Sequence, residues 1–250
     1  MIRRYFIAAA SMLILTIGVA SPVKSLLGAN GAEYVGESKA EYTAKDYIQD
    51  GLIAMWDGIE NAGFGVHDPN AIIWKDLIGT RDMTFINSYS FEVNCLYLDS
   101  YIANGSFRTF EKSKNYTIEI IHQRLLQNKY GAAIISLDDQ WYNTICYLPS
   151  QGFRFSEANA PYIAYPTADK NIHALSMSWS GKQYLNGVRQ EDLRTPSRYS
   201  CGTVGHINDN QAWDRGGDKS RWYCIRIYSR PLTDDEVIHN YTIDKNRFRL

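Results

Sequence analysis

From Asp50 onward the apolar side chains recur at every second position, and a helical period appears only at the end of the chain. In "NYTIEIIHQRL" (115–125) Tyr116, Ile118, Ile120 and His122 fall on one face of an extended strand. In "HALSMSW" (173–179) His173, Leu175, Met177 and Trp179 alternate with Ala174, Ser176 and Ser178. "GLIAMWDG" is apolar on both faces from Leu52 to Trp56, as a strand covered on both sides would be. The same reading predicts further strands at 83–87, 95–103, 131–137, 142–148, 152–156, 202–207 and 221–229. Ser180-Gly181 and Asn186-Gly187 mark tight turns, and Asn-Gly is the strongest short hairpin signal because both residues accept positive φ. Short strands at this spacing predict an antiparallel sandwich or barrel.

The period changes at "RIYSRPLTDDEVIHNY" (226–241). Tyr223, Ile225 and Ile227 alternate with Trp222, Cys224, Arg226 and Tyr228, and Pro231, which cannot donate to a ladder, ends the strand. Thr233 followed by Glu236 makes a capping box, with Leu232 and Val237 at the hydrophobic-staple positions. A helix over 233–248 is predicted, its apolar stripe closing against the sheet. The other end differs. Arg3 and Arg4 precede an uncharged run from Tyr5 to Val23, the pattern of a signal peptide or a membrane anchor over residues 1–23, read as a hydrophobic helix. Residues 24–48 mix small, charged and turn-forming types without a period and read as a linker. The domain is then 49–250.

Several of these stretches carry a family resemblance. "HALSMSWSGKQYLNGVRQE" resembles the strand and hairpin of laminin-G-like, concanavalin A-like jelly-roll domains, and "CIRIYSRPLTDDEVIHNY" resembles their terminal strand and helix. "GLIAMWDG" with "WKDLIG" is similar to the opening strand and first hairpin, and "QDGLIAMWDGIENAGFGVHDP" to the openings of uncharacterised proteins of this kind from gut bacteria and their phages. The resemblance covers about residues 48–250. It implies an all-β fold, an antiparallel jelly-roll β-sandwich with a C-terminal α-helix. It implies recognition of glycans or proteins through a concave face or rim loops, in some relatives with calcium, and in others glucanase activity. Fold alone does not choose among these.

Charge and composition narrow the chemistry. Lys plus Arg total 26 against 27 acids, so no basic field attracts a nucleic-acid backbone. The four cysteines, Cys95, Cys146, Cys201 and Cys224, form no C-x-x-C. Cys95, Cys146 and Cys224 lie in strand-like runs and are expected as buried thiols. The E-x-D-x-E strand of the glucanase relatives is missing: Glu119 is followed two residues later by Ile121, and Asp138-Asp139 would point to opposite faces. There is no H-E-x-x-H, G-x-S-x-G or phosphate-loop motif, and "GFGVHD" lacks the third glycine of a dinucleotide fingerprint. The chain is therefore expected not to be an enzyme and to need no cofactor. Calcium is the one ion for which a loop, with Asp57, Glu60, Asn61 and Asp68, offers oxygens. Sugar C–H faces stack on aromatic planes while hydroxyls pair with polar groups. Candidate ligand contacts are thus Trp141 and Tyr142, the loop with Trp56, Asp57, His67 and Asp68, and Trp213 in "NDNQAWDRGGDKSR". Trp74 and Trp179 are assigned to the core. The leading expectation is an exported module, extracellular or membrane-anchored through residues 5–23, that binds a glycan or a surface protein. A structural protein that assembles through the same sandwich is the alternative, and a glycoside hydrolase comes third.

Overall fold

The computed structural model describes residues 42–99, 104–108, 116–126, 132–136, 144–148, 152–155, 170–178, 180–190, 204–209 and 219–250. The expected N-terminal helix, the strand end at 100–103, Trp141, Tyr142, Trp179, Cys201 and Trp213 lie outside them. Residues Glu41–Leu250 form one compact unit.

The alternating segments become two antiparallel sheets. The first contains β1 (Leu52–Asp57), β4 (Tyr89–Phe91), β5 (Leu96–Leu98), β7 (Thr117–Leu126), β11 (Ile172–Ser178), β12 (Gln183–Leu185), β13 (Val188–Arg189) and β15 (Lys219–Tyr228). Its order is β13-β12-β11-β7-β15-β5-β4. The ten-residue β15 runs beside β7 along one edge. Its other edge is shared end to end: β5 pairs with Ser220–Trp222 and β1 with the stretch to Tyr228. The second sheet contains β2 (Ile73–Trp74), β3 (Met83–Ile86), β6 (Asn104–Arg108), β8 (Ala132–Ser136), β9 (Thr144–Leu148), β10 (Gly152–Phe155) and β14 (Val204–Asp209), ordered β10-β9-β8-β14-β6-β3-β2.

Register explains why one residue in two is apolar. Across the first sheet, Met177, Ile118, Ile227 and Ala54 form one row, and Leu175, Ile120, Ile225 and Trp56 the next. Both rows face the second sheet, whose Trp74, Met83, Phe107, Ile135 and Ile207 complete a single apolar cluster. Trp56 packs on Phe107 with ring centroids 4.9 Å apart, so aromatic surface holds the layers together.

A third layer covers the outer face of the first sheet. Helix α1 (Asp234–Phe248) starts at Thr233, whose hydroxyl accepts from the Glu236 amide while the Glu236 carboxylate accepts from the Thr233 amide. The capping box is thus formed as its spacing predicts, and the staple residues Leu232 and Val237 are buried. The helix ends with Arg249 in the left-handed region. Beneath it lie Met55, Ile121, Cys224 and Tyr228. The Asn186-Gly187 turn has φ of 51° and 74°, and Tyr241 packs so close to Gly187 that a β-carbon there would meet its ring at 2.3 Å. The linker expectation is corrected at its C-terminal end. Residues 42–48 belong to the fold, with a 3-10 turn at Ala44–Asp46, and Ala44 and Tyr47 are buried beside the helix. Cys95 and Cys224 are buried free thiols, as expected.

Candidate functional site

The alternate residues of the first sheet, those facing α1, are polar at its centre. Ser176, Glu119, Arg226 and Met55 lie in one row across β11, β7, β15 and β1. Arg226, 1% exposed, donates to Glu119 at 2.8 Å and to both carboxylate oxygens of Asp244 on α1 at 2.7 Å. Asn240 of the helix donates to Glu119 at 2.8 Å and to the Tyr228 hydroxyl at 2.9 Å, and accepts from the Ile48 amide at 3.0 Å. The Tyr47 hydroxyl donates to Asp244, and its ring lies 4.0 Å from the Arg226 guanidinium. Burial pushes the Glu119 carboxyl up, against the pull of Arg226. Burial alone would lower Arg226, but Asp244 and Glu119 carry it well above its ordinary value. A crevice of ≈ 10 Å³ remains between α1 and β11–β12, lined by Glu119, Ser176, Tyr184, Arg226, Tyr241 and Asp244, room for about one water molecule. Acids from separate elements therefore do converge here, but on a guanidinium and beneath a helix.

A second grip ties α1 to the loop after β1. Arg247 donates to Asp57 at 2.6 and 3.2 Å and to Glu60 at 2.9 Å. Asp57 also accepts the amides of Ile59 and Glu60, and Glu60 those of Ala44 and Gly65. Burial raises Asp57, with Arg247 opposing. Asn61 closes the loop by exchanging two hydrogen bonds with the Asp68 backbone at 2.7 and 2.8 Å.

The second sheet presents a different outer face. Thr84, Ser106, His206, Ser136 and Thr144 stand in register across five strands. The side chains described there are polar: Thr84 and Arg108 are exposed, Ser106 and His206 half-exposed. Ser106 Oγ and His206 Nδ1 share a hydrogen bond of 3.0 Å. Ile86, 53% exposed, borders this face.

The expected contacts divide accordingly. Trp56 is fully buried, and its indole N–H donates to the Arg81 carbonyl at 3.0 Å, so it belongs to the inter-sheet core and presents no surface to a ligand. Asp57 is also fully buried, its oxygens taken by Arg247 and two amides. His67 is exposed with Nδ1 3.2 Å from the Ile59 carbonyl, and Asp68 is half-buried beside it. The oxygens of Asp57, Glu60 and Asn61 that suggested calcium are engaged by protein donors, and the described residues hold no group of three or more His, Cys, Asp or Glu able to hold a metal. Sequence reasoning missed the outward row with Ser106 and His206, because alternation marks the buried positions of a strand more strongly than the exposed ones. It also missed Arg226 and Arg247, whose partners Glu119 and Asp57 are separated from them by 107 and 190 residues.

No family model matches the chain, and no curated protein matches it. Solved structures do match. A Trypanosoma rangeli sialidase in complex with sialic acid is similar over 89% of this chain and 36% of that one, with a TM-score of 0.58 and 12% identity. A mutant of that sialidase displaying trans-sialidase activity is similar over 79% and 33%, at 0.59 and 12%. The botulinum neurotoxin serotype D binding domain is similar over 77% and 52%, at 0.55 and 13%. The chain thus spans about a third of the sialidases and half of the toxin domain. At these identities the likeness shows the fold, an antiparallel β-sandwich that also occurs in binding domains. It corrects one expectation. The chain was expected not to be an enzyme, but the sandwich is shared with sialidases, so this architecture is no argument against catalysis.

Proposed function

We propose that this chain is an exported recognition module of the laminin-G-like, concanavalin A-like kind, holding a glycan or a protein partner outside the membrane on the open face of its seven-stranded sheet. The observation that carries the reading is the asymmetry of the two sheets. The outer face of one is closed by α1 and the 42–48 segment, whereas the other presents Thr84, Ser106, His206 and Arg108 toward solvent. Hydroxyl, imidazole and guanidinium groups on three neighbouring strands suit partners rich in hydroxyls and carbonyls. A neurotoxin binding domain among the proteins of similar fold supports a binding role, and the Arg3-Arg4 and Tyr5–Val23 pattern supports export.

The test is a glycan array probed with the purified chain, with and without calcium, followed by His206→Ala and Arg108→Ala. Binding that weakens about tenfold or more in either variant is the expected result. Silence on the array together with ordered self-assembly of the chain would replace this reading with that of a packing protein.

A further inference from the structure

Ser176 departs from the ordinary rules of a folded interior. It is 5% exposed on β11, and its hydroxyl oxygen, cut off from bulk solvent, meets no donor or acceptor among the described residues. Leaving a buried hydroxyl unpaired is costly, and native structures rarely do so without a bridging partner. The register sets Ser176 directly opposite Glu119 on β7, and Glu119 opposite Arg226 on β15. All three line the crevice of ≈ 10 Å³ beside α1. Much of its remaining wall is apolar, with Ile121, Leu175, Val237 and Tyr241. Gly187 borders it too, where the absence of a β-carbon lets the Tyr241 ring sit against the backbone.

The two charged neighbours also have hydrogen-bonding capacity to spare. Glu119 accepts from Arg226 and Asn240 through Oε2, whereas Oε1 accepts from no described side chain. Arg226 Nη2 carries two N–H groups and gives one to Asp244. The planar guanidinium fork sets the other beside Nε–H, the side that holds Glu119. A hydroxyl, a carboxylate oxygen and a guanidinium N–H therefore border a space that fits one solvent molecule. An anion there would face the Glu119 and Asp244 carboxylates, and a cation the Arg226 guanidinium. A neutral molecule that both donates and accepts suits all three groups. We propose that one ordered water is a fixed member of the ionic layer, accepting from Arg226 Nη2, donating to Glu119 Oε1 and sharing a hydrogen bond with Ser176 Oγ. Three bonds are the usual complement of an interior water. The site belongs to the sealed face of the first sheet and stands independently of what the open sheet binds.

The test pairs a crystal structure with a substitution, both on the full chain. The crystal structure is expected to show solvent density within about 2.5–3.2 Å of Ser176 Oγ, Glu119 Oε1 and Arg226 Nη2. A crevice without density, or density out of reach of Ser176 or Glu119, overturns the proposal. Ser176→Ala then reads the energetics by the sign of its effect. An unpaired buried hydroxyl is a liability, so removing it from a dry crevice would leave the fold as stable as before or more so. With the water in place that hydroxyl has a partner to lose. The variant is then expected to move the folding equilibrium about threefold to tenfold toward the unfolded chain in a denaturant titration. A Ser176→Ala chain that matches or exceeds the wild type in stability overturns the proposal as well.

Discussion

The two faces of the eight-stranded sheet use the same strands and neighbouring residues, yet they are held by different physics. On the inner face Leu175, Ile120, Ile225 and Trp56 run across four strands and bury apolar area against the second sheet. One register step away, Ser176, Glu119, Arg226 and Met55 run across the same strands beneath α1, and two of those four are charged and no more than 2% exposed. Apolar contact is non-directional and tolerates small slides. The Arg226 fork meets Asp244 at two oxygens and Glu119 at a third, and Asn240 is satisfied on three sides, so one placement of the helix satisfies every partner. The comparison teaches that the inner face supplies stability through area, while the outer face fixes where α1 and the 42–48 segment sit.

The largest test removes the hub. Arg226→Ala leaves Glu119 and Asp244 buried without their cation, and a loss of about 3–5 kcal/mol in denaturant unfolding is expected. Trp56→Ala on the inner face should cost a similar ~3–5 kcal/mol, through a cavity instead of stranded charge. The two should differ in rescue. Replacing Arg226, Glu119 and Asp244 together by apolar residues of similar volume should restore most of the stability, whereas no change elsewhere refills the Trp56 cavity. Failure of that rescue would mean that the ionic layer contributes net stability of its own. Next in size, Asn240→Ala strands the Ile48 amide and should cost about 1–3 kcal/mol, releasing the 42–48 segment first in hydrogen exchange. Thr233→Ala removes the capping box and should cost about 1 kcal/mol.

The smallest effect is a difference in pH slope. Glu119 faces Arg226, Asp244 and Asn240, and burial raises its pKa; the same holds for Asp57 against Arg247 and Glu60. The folded state keeps protons there that the unfolded chain releases, so this contribution is present in acid and fades as pH rises through the raised values. His122 and His173 pair across β7 and β11 on the inner face, beside Arg124 and Trp222, and burial lowers both, His173 to about 4. Their contribution is present above the ordinary histidine value of 6.5 and is lost as pH falls toward 4. The two faces of one sheet thus titrate in opposite senses. Unfolding measured between about pH 7 and 4 should show Glu119→Gln losing stability more steeply than the wild type on acidification, and His173→Asn less steeply. Slopes that move together would contradict the assignment. Farther into acid, Asp234 and Glu236 at the start of α1, held down to about 2 by Lys182 and Arg230, lose their contribution in any variant that keeps the helix.

What the sequence made legible was local. Alternation placed β3, β7, β8, β11 and β15 to within a few residues, and Thr233, Glu236, Leu232 and Val237 announced α1, because caps and periods are written within one or two turns of chain. What it hid was long-range. Asp57 reads as a loop acid until Arg247 reaches it from the far end of the chain. Residues 42–48 have no period because single contacts, Tyr47 to Asp244 and Ile48 to Asn240, hold them. Glu119 reads as a lone strand acid, and nothing near it in the chain names Arg226 as its partner.

The central claim is that the open sheet, not the sealed one, meets the partner. Hydrogen exchange of the chain with and without a ligand taken from the array tests it directly. Slowed exchange confined to β3, β6 and β14, with α1 and β11 unchanged, is the predicted result. Protection that appears instead along α1, or at the crevice between it and β11, would contradict the account.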